Sequence, residues 1–123
     1  MYNIWHQEKF PLTYKIKHPI RTTKTFARKI KFSHQRITRG WCDADAWNMD
    51  TWFLNVVPDQ LRYLSNNTHS YPLSVVNDKE WKQILLDMAE HFVLAGYTDN
   101  EDVIKHKDKA FELMKKHFYD LWD

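Results

Sequence analysis

Glycine occurs only twice in this 123-residue chain, at Gly40 and Gly96, and proline only four times. Turn-rich β architectures lean on glycine for backbone conformations that other residues resist. Scarcity of both residues therefore points to helices joined by short connections. The apolar spacing agrees. Over residues 21–38, Phe26, Ile30, Ser33 and Ile37 fall on one helical face, with Lys24, Arg28 and Lys31 opposite, and Gly40 ends the helix. A second helix is expected over 43–64, kinked or restarted at Pro58. A third opens at an Asn77/Glu80 capping pair, buries Trp81, Ile84, Leu85, Met88 and Phe92, and closes at Gly96. The last follows a Thr98/Glu101 cap and turns Val103, Ile104, Phe111, Met114, Phe118 and Leu121 inward. The expected fold is all-α: a compact bundle of four to five helices in a single domain over 1–123. Residues 1–20 form a basic, aromatic N-terminal arm carrying Tyr2, Trp5, Phe10 and Tyr14.

The net charge of +2 hides an opposition along the chain. Residues 1–41 hold ten Lys/Arg and one acid (+9), whereas 42–123 hold eight Lys/Arg and fifteen acids (−7). Such an arrangement serves either self-complementation or an anionic partner for the basic end. No apolar run reaches the roughly 18 residues of a membrane span, and the N-terminal residues lack the apolar stretch of a signal peptide. One cysteine excludes an internal disulfide, which fits a reducing cytosol. A cytoplasmic location is expected.

The densest chemistry lies in residues 39–53, RGWCDADAWNMDTWF, which hold three of the six tryptophans, three aspartates and the only cysteine. In a continuous 43–64 helix, Asp50 sits amid Ala46, Trp47, Phe53, Leu54, Val57, Leu61 and Leu64. A carboxylate there needs a polar partner, and Arg36, Arg39 and His69 are the candidates. A further apolar stripe on the same helix, Trp52, Val56 and Tyr63, points to a homo-oligomer interface. Residues 66–72, NNTHSYP, form a polar loop.

The run RGWCDADAW, the THSYP loop at 68–72, the Glu80-Trp81 helix start and the closing FYDLWD together resemble a family of small proteins encoded in phage genomes. The matching positions are Arg39, Gly40, Trp41, Asp43, Asp45, Trp47, His69, Tyr71 and Pro72, with Cys42 standing where the family usually has serine. The resemblance implies a phage origin and a host cytosol rather than a particular reaction.

Two functional expectations follow. The first is a non-catalytic counter-defence protein, a sponge that sequesters a nucleotide-type immune signal. Arg36 and Arg39 suit phosphate. Trp41, Trp47 and Tyr71 offer faces for a base, and Asp43, Asp45, Asp50, Asn66 and His69 offer polar contacts. No phosphate-cradling glycine loop is present. The alternative is an interaction module whose basic N-terminal region binds and blocks a host protein or nucleic acid; a membrane surface would also suit Lys24, Arg28 and Lys31. An enzyme is not expected: Asp87 and Glu90 with Glu101 and Asp102 only partly resemble the acidic pairs of all-α nucleotide pyrophosphohydrolases. Neither a cofactor nor a metal is expected, because His91, His106 and His117 lack metal-ligand spacing.

Overall fold

The computed structural model describes residues 19–96 and 101–123. The arm expected over 1–20, apart from Pro19 and Ile20, and the capping role expected of Thr98 lie outside them. The fold is all-α, with no strand among the described residues. Its helices are α1 (Pro19–Arg39), α2 (Asp43–Trp47), α3 (Met49–Asn67), α4 (Asp78–Ala95) and α5 (Val103–His117), followed by a 3₁₀ turn at Phe118–Asp120. They group into two compact units, residues 1–49 and 50–123.

In the first unit, α1 begins with proline, whose missing N–H is harmless in a first turn. Gly40 stops it by adopting φ +82°, a left-handed conformation that other residues resist. None of its 21 residues is buried. Phe26, Ile30 and Ile37 were expected to face a core, yet they are 62, 56 and 84% exposed. The reason is that α2 folds onto the opposite side of α1, where the cations are.

In the second unit, α3, α4 and α5 pack around Trp81, Leu85, Met88, Ala89 and Phe92, with Leu61 and Ala110 closing the core. The Asn77 side chain caps α4 by accepting the Glu80 N–H at 2.8 Å, and the Glu80 carboxylate reaches back to the Val76 N–H at 3.1 Å. Ser65, buried on α3, donates to the Lys82 carbonyl at 3.0 Å and ties α3 to α4. Phe53, Phe92 and Phe111 meet in an aromatic cluster with centroids 5.2–5.7 Å apart.

Three details differ from the pattern expected. The helix over 43–64 breaks at Asn48 (φ −137°, ψ 67°), which ends α2 and resets the phase of α3. Pro58 neither restarts nor ends α3: it sits buried within the helix. On α5 the inward positions are Ala110, Leu113, Met114 and His117, with Leu121 beyond the helix. Ile104 and, just past the helix, Phe118 are 66 and 58% exposed, while Phe111, 46% exposed, keeps one side on Phe53 and Phe92. His117 takes the place of an apolar residue, its ring 5.2 Å from that of Trp81 and its Nδ1 3.2 Å from the Asp120 carboxylate.

Leu85→Ala removes a fully buried side chain and should destabilise the second unit by about 2–5 kcal/mol. Asn77→Ala, which removes only a cap, should cost about 1 kcal/mol. Urea unfolding followed by circular dichroism measures both, and equal losses would contradict this placement of the core.

A candidate functional site on the turn after the first helix

Lys31, Gln35 and Arg39 recur every four residues and so stack along one line of α1, with Phe32 and Arg36 beside them. Gly40 reverses the chain, and Trp41 and Cys42 carry it back so that α2 starts against that line. The Cys42 backbone is extended (φ −116°, ψ 168°), as a residue preceding a helix should be.

Two carboxylates in the first turn of α2 then meet α1. Asp43 accepts from Lys31 Nζ at 2.8 Å, from Gln35 Nε2 at 2.9 Å and from the Arg39 guanidinium. Gln35 also accepts the Asp43 N–H at 3.0 Å through its own oxygen, clamping that residue twice. Asp45 receives the Arg36 fork, Nη2 at 2.7 Å and Nε at 3.2 Å, and in addition the Cys42 N–H at 2.8 Å. The Asp45 N–H in turn bonds the Cys42 carbonyl at 3.0 Å, closing the first turn of α2. Cys42 itself is fully buried.

The electrostatics follow from these partners. Lys31, Gln35 and Arg39, in that order of effect, hold the Asp43 carboxyl far below the ordinary aspartate range. Burial pushes Asp45 up, but the Arg36 guanidinium and the Cys42 N–H outweigh it, so its pKa also falls. Both aspartates are spent on α1, and neither is an acid or base poised near neutral pH.

Around this clamp the aromatic residues stay largely open. The Arg39 guanidinium lies 3.8 Å over the Trp41 ring while its Nε donates to the Trp41 carbonyl at 3.0 Å. Trp47 meets Phe32 edge-on at 6.1 Å. Trp41 and Trp47 remain 44 and 69% exposed.

The structure thus brings together Arg36, Arg39, Trp41, Asp43 and Asp45, with Trp47 one turn further along α2. Asp50, Asn66, His69 and Tyr71 belong to the second unit. The expectation of a buried Asp50 is overturned. The break at Asn48 places it in the exposed first turn of α3, where a carboxylate suits the positive end of the helix. Arg36 and Arg39, proposed to answer it, answer Asp45 and Asp43 instead. Asn66 and His69 are exposed and Tyr71 is half-exposed. The His69 N–H donates to the Asp123 carboxylate at 2.8 Å, and its Nδ1 lies 2.6 Å from the Asn67 carbonyl. Gln35 was not singled out from sequence, and Lys31 only as a cation of the exposed face, although their four-residue spacing from Arg39 marks both.

Comparison with protein-family models, with curated proteins and with solved structures finds no match to this chain.

Depressed carboxylate pKa values stabilise the folded state above the unfolded value of ~3.9. The clamp is therefore fully formed at neutral pH and is lost as pH falls through the still lower folded values. Carbon-detected NMR titration should find Asp43 and Asp45 titrating below the unfolded aspartate value, and Lys31→Ala should raise Asp43 while leaving Asp45 in place. An unmoved Asp43 would refute the assignment.

Proposed function

We propose that this chain is a non-catalytic interaction module that binds and blocks a host protein, with α1 as the segment laid into its partner. The observation carrying this reading is the pairing of two features on one helix. Alpha1 holds seven Lys/Arg and no acid, and its apolar stripe of Phe26, Ile30 and Ile37 is more than half exposed at each position. The i, i+4, i+7, i+11 spacing from Phe26 to Ile37 is that of a helix seated in a groove.

Magnitudes decide what kind of partner fits. Burying an apolar side chain of this size fully contributes about 1.5–3 kcal/mol. Three partly exposed ones supply roughly 5 kcal/mol, at the low end of the ~4–15 kcal/mol entropic cost of association. The apolar stripe therefore needs charge as well, and Lys24 and Arg28, which the Asp43 and Asp45 clamp does not use, call for an apolar groove with an acidic rim. A nucleic acid would answer the cations and leave the stripe in water. The likeness of the RGWCDADAW run to small phage proteins makes the host cell the expected source of the partner.

A photo-crosslinking residue at Ile30 should capture that partner in cells. The purified partner should then bind Ile30→Glu at least ten-fold more weakly, and more weakly at high salt. Because α1 buries nothing, circular dichroism should be unchanged. Undiminished binding by Ile30→Glu would reject α1 as the contact.

A nucleotide-type ligand is the second reading, favoured by the Arg39–Trp41 stack and the exposed face of Trp47. Under it, dialysis against mono-, di- and cyclic nucleotides should show uptake that Trp41→Ala abolishes, and heating should release the nucleotide unchanged. Recovery of a cleaved product would exclude sequestration.

A further inference from the structure

His91 and His106 are fifteen residues apart and sit on different helices, α4 and α5, yet their Nδ1 atoms are 3.0 Å apart. The rings are tilted by 31° with centroids at 5.2 Å, and both side chains are half-buried, so the pair is packed in place while still within reach of solvent. Two neutral imidazoles at this distance share a single N–H···N bond.

We propose that His91 and His106 form an open two-imidazole site for a divalent first-row transition metal such as nickel, copper or zinc. Imidazole nitrogens bind these ions at about 2.0–2.1 Å. Two such nitrogens on one ion stand about 3.3 Å apart in tetrahedral geometry and about 2.9 Å apart at a right angle. The separation here lies between those limits. A rotation of each ring by about 40° turns the nearly head-on approach into two lone pairs aimed at one ion. Both rings then keep their proton on Nε2, so the shared proton changes nitrogen and none need be lost.

Among the described residues no third histidine, cysteine or carboxylate completes a ligand set. Asp102, one turn before His106, has its carboxylate engaged by Lys105 Nζ at 2.7 Å. The remaining coordination positions therefore fall to water or an incoming ligand. That is the layout of an exchangeable site rather than of a closed structural one. The ion would also bridge α4 to α5, adding a link between the two helices whose side chains build most of the core.

The test uses the full chain and the metal alone. With excess NiCl2 the unfolding midpoint should rise by about 5 °C or more. The rise should persist in His34→Gln, which removes an exposed histidine elsewhere, and vanish in His91→Gln and in His106→Gln. Electron paramagnetic resonance of the wild-type chain with one equivalent of Cu2+ should show two coupled imidazole nitrogens, a readout that does not depend on the variants folding. No rise in the wild type, a rise retained in either pair variant, or coupling to a single imidazole would overturn the site.

Discussion

The short helix α2 exists because of two carboxylates. Five residues are far too few to hold a helix alone, since nucleation is unfavourable and isolated helices below ~12–15 residues are marginal. What fixes Asp43–Trp47 is the grip of Asp43 on Lys31, Gln35 and Arg39 and of Asp45 on Arg36. Exposed ion pairs contribute only ~0–1 kcal/mol each, so the Lys31 and Arg39 contacts matter chiefly as parts of a network. The Arg36–Asp45 pair is of another kind. It is bidentate, the Asp45 side chain is 10% exposed, and the carboxylate also accepts the Cys42 N–H. Removing Arg36 would leave a largely buried carboxylate short of donors, a cost greater than the pair's own net contribution.

This clamp decides which way α1 faces. An amphipathic helix ordinarily turns its apolar stripe inward and leaves its charges to water. The second unit follows that rule, with Trp81, Leu85, Met88 and Phe92 of α4 all buried. In the first unit the polar side is the one occupied, because the turn that follows brings Asp43 and Asp45 onto it. Seven cations with no acid on α1 would repel one another, and Asp43 and Asp45 relieve that repulsion where Lys31, Arg36 and Arg39 cluster. The stripe of Phe26, Ile30 and Ile37 is left uncovered as the consequence.

Much of the second unit was legible in the sequence, because burial imposes a period that side chains record. Trp81, Leu85, Met88 and Phe92 and the Asn77 cap stand where the spacing put them. The break at Asn48 was not legible. Trp47-Asn48-Met49 has neither glycine nor proline, and the apolar pattern runs across it without interruption. Asp50 illustrates the cost of missing it, since a carboxylate assigned to an apolar face proved to be an exposed first-turn residue. The members of the clamp were legible as residue types, but their pairing was not. Sequence offered Arg36 and Arg39 to Asp50, and only the turn at Gly40 brings Asp43 and Asp45 to them instead. His91 and His106 escaped for the same reason, because a fifteen-residue separation becomes contact only once α4 and α5 are packed.

The arrangement of charge on α1 also bears on what can cover its stripe. Phe26, Ile30, Ser33 and Ile37 have the 4-3-4 spacing of a coiled-coil seam, which on pattern alone invites a second copy of the chain. Ser33 in the middle of that seam weakens it, and pairing two copies would bring the cations not taken up by Asp43 and Asp45, Lys24 and Arg28 among them, towards their counterparts without an acid on either helix. Like charges flanking a seam oppose association, whereas an acidic rim around an apolar groove turns the same cations into attraction. The stripe expected to mediate self-association on α3 is a different surface. There Trp52 and Val56 are already half-buried, and only Tyr63, 70% exposed, stands well clear. Under the proposed reading, the features that oppose self-pairing of α1 are those that would favour an acidic cover: apolar surface to be covered, and charge of one sign beside it.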